Sequence, residues 1–142
     1  MATFDTIDFA TAGTTLNVAT AGAGWTSSER EIVGKARTLA GPSGVGHVIL
    51  FAKITKTGGG TINAATESLR IEASQTGASG TWRPVRDAFG DTSPANFFTG
   101  GAGTSSIELA QPVLAYPFMR VKLTGDNVDD AYTINQLSLS VP

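Results

Sequence analysis

The chain has 142 residues, no cysteine and a formal net charge of −2. This length fits one domain that buries about two-thirds of its unfolded surface, and the missing cysteines exclude disulfides, thiolate metal sites and cysteine nucleophiles. Only 15% of the residues are charged and 17 are glycine, a composition that favours strands and turns over exposed helices. The slightly acidic balance gives no electrostatic reason to expect nucleic acid as a partner.

The N-terminal segment, residues 1–24, is a mixture of alanine, threonine and glycine. Its few large residues allow two short strands: Phe4, Ile7, Phe9, Leu16 and Val18. We expect a first hairpin or, alternatively, an extended arm that packs on a neighbouring subunit, because the apolar content is thin for a self-contained element. Residues 25–142 form the predicted sandwich domain. No basic stretch followed by an apolar run begins the chain, so we expect no signal peptide.

The next part of the chain contains one weak and one strong strand signal. Residues 27–41, SSEREIVGKARTLAG, favour a strand with a bulge, because Gly34 interrupts a stretch with β-branched side chains. A loop at 41–46 separates it from the strongest strand, Val48 to Ile54. Both faces of that strand are apolar, which predicts a central strand covered on both sides. Its apolar run is far too short to span a bilayer, so we expect no membrane partner.

The segment from Glu67 to Val85 shows period-two alternation, which puts alternate side chains on a core and in water. Its apolar positions are Leu69, Ile71 and Ala73, and they alternate with Arg70, Glu72 and Ser74. A small polar turn at 75–80 then returns the chain through Trp82. These features predict a β-hairpin with one apolar face.

A second hairpin is predicted near the C-terminus, from strands at 113–124 and 132–141. Its apolar positions alternate with polar ones along both strands: Met119, Val121, Leu123, Leu137, Leu139 and Val141. A change of phase in the last strand, near Asn135 or Gln136, predicts a β-bulge. Residues 91–106, which lie between the two hairpins, are expected to form a long glycine-rich loop.

Several short strands with turn signals between them, and no convincing helix, predict an all-β fold. We expect a single-domain antiparallel β-sandwich of jelly-roll type with an extended N-terminal segment. The sequence contains no recognisable catalytic motif, and His47 is the only histidine, which excludes a cluster of histidine metal ligands. Ser43, His47 and Asp87 lack the strand-turn-helix setting of a nucleophile elbow. We therefore expect no enzyme, no catalytic residues and no cofactor, and we look for function on the surfaces.

The acidic loop from Asp126 to Asp130 is the best metal candidate in the sequence. Its side chains supply several oxygen ligands of the kind that Ca²⁺ prefers: Asp126, Asn127, Asp129 and Asp130. The loop lacks the spacing of an EF-hand and its bidentate glutamate. A solvated hairpin turn, with Gly125 and Asp126 at the bend, is the favoured interpretation, and no metal site is predicted.

Aromatic residues offer a different possibility, because aromatic rings on one face can stack on sugars. For Trp82, we favour a ring that covers the open edge of the sandwich core. Phe97 and Phe98 are adjacent within a glycine- and serine-rich loop. Strand alternation cannot point both into one core, so we expect at least one to lie in a partner's pocket.

Three segments of the chain resemble a pattern found in small virion proteins of tailed bacteriophages. That pattern reads as an extended hairpin of the form LEAS-DGT-W-PV, followed by a strand of the form YPYLRVRVT and a short terminal strand. The matching segments are LRIEAS at 69–74, TGASGTWRPV at 76–85 and YPFMRVKLT at 116–124. This chain has Gly77-Ala78-Ser79-Gly80 where an acidic-glycine turn is usual. From the first matching segment to the end of the terminal strand, the resemblance spans residues 69–141, which is about half of the chain.

The resemblance implies a capsid decoration (cement) protein, or another head or tail accessory protein of a phage. Such a protein is made in the host cytoplasm, binds the major capsid protein on the capsid surface of the virion and typically assembles as a homotrimer. A carbohydrate-binding sandwich of a tail or receptor-binding module shares the same pattern and stays open as the alternative. The residues expected to bind a partner are Phe4, Phe9, Leu16, Phe97 and Phe98. Residues 2–22 are expected to contact the capsid or a sister subunit.

Overall fold

The structure is a computed structural model that describes residues 5–17, 24–26, 30–31, 47–85 and 95–141. These residues form ten β-strands and one 3₁₀ helix. The strands are β1 (Asp5–Asp8), β2 (Thr14–Asn17), β3 (Gly24–Thr26), β4 (Arg30–Glu31), β5 (His47–Gly58), β6 (Ser68–Ser74), β7 (Arg83–Pro84), β8 (Ser106–Leu114), β9 (Phe118–Thr124) and β10 (Ala131–Val141). The 3₁₀ helix spans Phe97–Gly101.

The strands form two sheets in which the paired strands are antiparallel. Sheet A has the order β1-β10-β5-β8, and β2 also pairs with β10. Sheet B has the order β3-β9-β6-β7, and β4 also pairs with β9. Because the buried faces of both sheets contribute to one core cluster, the predicted all-β antiparallel sandwich is confirmed.

The core lies between the alternate side chains of four long strands. Leu50 of β5 lies opposite Leu139 of β10, and Leu69 of β6 lies opposite Leu123 of β9. All four are buried members of the same cluster. Burying a leucine contributes about 1.5–3 kcal/mol relative to leaving it exposed, so these inward positions supply much of the stability of the sandwich.

Strand β5 lies between β10 and β8, so its predicted central position is confirmed. The predicted cover on both sides is wrong for the outer face, where Ile49 and Phe51 are half-buried and Lys53 is exposed. Half of the residues of β5 are valine, isoleucine, phenylalanine or threonine, and such side chains suit a pleated, half-buried surface.

The predicted bulge in the last strand is also confirmed. Ile134 pairs with Ile54 but Gln136 pairs with Lys53, so Asn135 is the extra residue.

The second predicted hairpin is wrong. Strand β9 belongs to sheet B and β10 to sheet A, so the turn between them crosses from one sheet to the other. The predicted strand at 113–124 is also two strands, because β8 ends at Leu114 in sheet A and β9 begins at Phe118 in sheet B. Alternation along a strand shows which of its side chains face the core, but it does not identify the neighbouring strand with which it pairs. The first predicted hairpin is confirmed by the pairing of β6 with β7.

The described part of the N-terminal segment is an interrupted edge strand. Strands β1 and β2 pair with successive parts of β10. The residues between them leave the sheet, although the backbone N–H groups of Phe9 and Gly13 still donate to β10 carbonyls. Of the bulged strand predicted at 27–41, only β4 is described, and it pairs with β9. The loop predicted at 41–46 lies outside the described residues.

The predicted loop at 91–106 contains regular structure in its described part. Asn96 caps the 3₁₀ helix, since its side-chain oxygen accepts from the backbone N–H of Phe98 at 3.1 Å. The Asn96 amide also donates to the carbonyl oxygens of Ala64 and Glu67, at 3.0 and 2.9 Å. One side chain therefore joins the helix to the connection that precedes β6.

Candidate functional site

A cluster of charged side chains lies inside one end of the sandwich. Lys56 continues the inward-facing side of β5, after Ile54. Its ammonium lies 2.8 Å from Oε1 of Glu67 and 2.9 Å from Oδ1 of Asp130, and these three side chains are at most 1% exposed. Glu67 immediately precedes β6 and Asp130 immediately precedes β10. The cluster thus joins two connections that cross between the sheets.

The polar groups of this charged cluster are satisfied by neighbours within the chain. The third contact of the Lys56 ammonium is the carbonyl oxygen of Thr61 at 3.2 Å. Glu67 accepts from the hydroxyl of Tyr132 and from the backbone N–H of Asn63, the latter at 2.6 Å. Oδ2 of Asp130 accepts two backbone N–H groups of the β9–β10 connection, at 2.8 and 3.1 Å. Oδ1 of Asp130 lacks a hydrogen bond of regular geometry and is held by the ion pair with Lys56.

Burial and ion pairing act on the pKa values in opposite directions. Burial lowers the pKa of Lys56, but its hydrogen bonds and charge interactions with Glu67 and Asp130 outweigh this and raise it. Burial raises the pKa of Asp130, but Lys56 and the backbone N–H donors outweigh this and lower it. Burial and the neighbouring Glu67 carboxylate raise the pKa of Tyr132. Near neutral pH, Lys56 and Asp130 are therefore both charged and Tyr132 is a neutral donor.

This arrangement is suited to holding the fold together. Glu67, Asp126 and Asp130 bring carboxylate oxygens within 4.8 Å of one another, a spacing that suits a metal ion. The Lys56 ammonium already supplies the positive charge between two of them. The predicted solvated turn is wrong for Asp130, which is 1% exposed, because the connection crosses into the core instead of closing a hairpin.

An open groove lies where two irregularities of sheet A meet. The Asn135 bulge of β10 faces the break between β1 and β2, and the groove between them has a volume of about 540 Å³. Its polar lining combines a carboxylate, an ammonium, a hydroxyl and two amides: Asp8, Lys53, Thr11, Asn135 and Gln136. Bulges re-aim side chains in this way beside binding sites. This mixture of donors and acceptors suits a small ligand with several hydroxyl groups.

The outer face of sheet B carries a second set of charged residues. Arg70 lies opposite Lys122, and Glu72 lies opposite Arg120. The Nε and Nη2 atoms of Arg120 both lie 2.9 Å from Oε1 of Glu72. The guanidinium also lies over the ring of Trp82, 4.2 Å from its centroid. Trp82 is buried directly before the edge strand β7 but is not a member of the core cluster, so its cover of the core edge stays a prediction.

The structure buries most of the residues that were predicted to bind a partner. Phe9, Phe97 and Phe98 belong to the core cluster, and Leu16 packs against it half-buried. The argument that Phe97 and Phe98 cannot share one core is wrong, because a 3₁₀ helix does not follow strand alternation. Phe4 lies outside the described residues. The partner-binding role of these positions stays a prediction.

Sequence reasoning missed the charged cluster and the pairing on sheet B. A lysine in the inward phase of an apolar strand was a usable signal for the cluster, since lysine is almost never fully buried without a partner. This signal would have predicted a buried acid but could not have identified Glu67 or Asp130. The basic residues are scattered along the sequence, and only the register of β6 with β9 brings Arg70 beside Lys122.

Comparison with known proteins adds no relative. No protein-family model, no curated protein and no solved structure matches this chain. Within the described residues, no helix has the length and apolar character that a membrane crossing requires.

Proposed function

We propose that this chain is a structural protein of a tailed-phage virion, a decoration protein that binds the major capsid protein lattice and stabilises the head. The observation that carries this proposal is the position of the three segments that resemble phage virion proteins. They contain β6, β7 and β9, which are neighbours in sheet B. The resemblance therefore follows one continuous surface of the molecule.

The order of the strands supports the jelly-roll form of the sandwich. The chain changes sheet between β2 and β3, between β4 and β5, between β5 and β6, and at each step from β7 to β10. If β1 with β2, and β3 with β4, each count as one interrupted strand, eight strands remain in two four-stranded sheets. Jelly rolls have eight strands in two sheets and are common in viral capsid domains.

The described sheet edges suit a protein that is concentrated on a lattice. Long regular edges invite uncontrolled pairing with other chains. Here β7 has only two residues and includes Pro84, β8 contains Pro112, and the edge formed by β1 and β2 is broken. Proline removes a donor from an edge. Such a sandwich can be crowded on a shell and still attach through its faces and loops.

Repeated attachment explains how modest contacts would stabilise a head. Symmetry repeats each weak contact across the lattice, and linked binding events raise the overall affinity by orders of magnitude without new contacts. We propose a homotrimer on the capsid surface, made in the host cytoplasm. The major capsid protein is its partner, and neither nucleic acid nor membrane is involved.

The proposal is tested with heads that lack the protein. Purified full-length chain is added to such heads, unbound protein is removed by sedimentation, and the bound copies and the melting temperature of the heads are measured. Saturable binding that raises the melting temperature is expected. Absence of binding contradicts the proposal. The full chain is the appropriate reagent, because a deletion of residues 2–22 removes Phe9 from the core and uncovers β10.

A second candidate function, sugar binding by a tail or receptor-binding module, is favoured by the groove of sheet A. Its hydroxyl, amide and charged groups match the hydrogen-bonding groups of a saccharide. Trp82 offers less support, because Arg120 covers its ring. A glycan array with the wild type and with Gln136→Ala tests this function. Glycan binding that the substitution removes supports it, and absence of binding by the wild type excludes it for the glycans tested.

A further inference from the structure

Two like charges face each other on the outer side of sheet B. Arg70 of β6 and Lys122 of β9 are register partners, and their chain neighbours Leu69, Ile71, Val121 and Leu123 face the core. Side chains in direct register have Cβ atoms about 4.5–5.5 Å apart. We call Arg70 and Lys122 the basic row.

The basic row lacks a compensating acid in the described part of the chain. The carboxylate in the adjacent row, that of Glu72, is engaged by Arg120. Neither Arg70 nor Lys122 forms an ion pair with another described residue. Like charges directly opposite each other destabilise a sheet. A local rule that is broken without compensation is expected at functional positions.

We infer that the basic row binds an acidic protein surface, with carboxylates of the partner placed between Arg70 and Lys122. This inference rests on the proposed function, under which the acidic surface belongs to the major capsid protein. The fork of an arginine can hold a carboxylate through two hydrogen bonds, and lysine adds a point charge beside it. The partner's carboxylates then relieve the repulsion between the two cations.

The overall charge favours an acidic protein over a long polyanion. The chain carries a net charge of −2, so a nucleic acid would be repelled outside this small positive area. Two cations form a footprint suited to one or two carboxylates. Lys122 is exposed and Arg70 is half-buried, so a partner reaches the row from the open side of the sheet.

The substitution Lys122→Glu separates binding from stability. It replaces a repulsive cross-strand pair by an attractive one, so the melting temperature of the free protein should rise by about 1–4 °C. Attachment to heads that lack the protein should weaken at least about tenfold, because the new glutamate repels the partner's carboxylates. Arg70→Glu is the second variant, with the same expected changes. The matched control is the double substitution Thr55→Glu with Thr57→Glu, on β5 of sheet A and outside the groove. It makes the same change of two in net charge and should leave attachment within about twofold.

The outcomes distinguish the inference from the function on which it rests. Weaker attachment of both sheet B variants, with a wild-type affinity that falls as NaCl is raised, supports the basic row. Equal attachment of the wild type and both variants overturns the row and leaves the decoration function standing. Absence of wild-type attachment overturns both. Binding of a fluorescent DNA oligonucleotide by the wild type but not by the variants makes the partner a nucleic acid and overturns the inference.

Discussion

The ammonium of Lys56 lies 2.8 Å from Oε1 of Glu67, with both side chains at most 1% exposed. Lys56 belongs to sheet A, and Glu67 precedes the first residue of β6 in sheet B. Asp130 adds a second carboxylate from the connection that enters β10. The ion pairs therefore hold the β5–β6 and β9–β10 connections, both of which cross between the sheets, against strand β5.

Replacing Lys56 should be strongly destabilising. Lys56→Met removes the only cation of the cluster and leaves Glu67 and Asp130 buried without a counter-charge, which should cost about 3–5 kcal/mol of unfolding free energy. The matched control is Lys53→Met, on the same strand but exposed, with an expected change within about 0.5 kcal/mol. Denaturant unfolding of both variants measures the difference. Equal stabilities would show that the buried ion pairs do not hold the fold.

The stability of the sandwich should fall on the acid side. The pKa of Asp130 lies below its ordinary value of 3.8 in the folded chain. The stability that this carboxylate contributes is thus present above pH 3.8 and is lost as the pH falls through the lower folded value. The pKa of Lys56 lies above its ordinary value of 10.5. Its contribution is present below that value and is lost as the pH rises through the folded value.

Denaturant unfolding of the wild type across this pH range measures both effects, and the variant Asp130→Asn tests the acid-side effect. The variant should be less stable near neutral pH and should lose less further stability on acidification. If the unfolding free energies of the two proteins fall equally on acidification, other carboxylates cause the acid sensitivity.

Two neighbouring glycines should respond differently to alanine. Gly59 and Gly60 have similar positive φ angles, 86° and 89°, so either substitution should cost about 1–2 kcal/mol of backbone strain. A Cβ at Gly59 would also collide with Oδ1 of Asp130, whereas a Cβ at Gly60 meets open space. Gly59→Ala should therefore lose about 1–3 kcal/mol more than Gly60→Ala in thermal unfolding. Similar losses would mean that the β5–β6 connection can shift away from Asp130.

Phe98 should behave as a core residue. Its side chain is fully buried, and its ring stacks on that of Tyr132 with centroids 5.7 Å apart. Phe98→Ala should lower the unfolding free energy by about 3–5 kcal/mol. The control Val128→Ala changes a side chain that is 56% exposed and should change it by less than about 0.5 kcal/mol. A large loss of attachment with little loss of stability would restore the partner-binding role predicted for Phe98.

The sequence predicts the faces of the strands better than their partners. Alternation along 69–73 and 119–123 identifies inward residues correctly, because one buried side is enough to impose a period of two. The same alternation allows β9 to pair with β10 or with β6. Only the long-range packing of the two sheets decides between these pairings, and the turn at Gly125 and Asp126 looks alike in both.

The functional surfaces are harder to predict for the same reason. Lys56 stands out in the sequence, but its partners lie 11 and 74 residues further along the chain. Arg70 and Lys122 become neighbours only through the register of sheet B. Strand alternation predicts that Phe97 and Phe98 cannot both face one core, but Asn96 caps a 3₁₀ helix there, and that helix does not follow the alternation.

The number of copies per virion tests the decoration function most directly. We would purify phage particles from the source that carries this gene and count the protein against the major capsid protein by quantitative mass spectrometry. Copies comparable to those of the major capsid protein are predicted, because a decoration protein occupies repeated positions on the lattice. A handful of copies would move the protein to the tail or portal. Its absence from purified particles would contradict the proposed function.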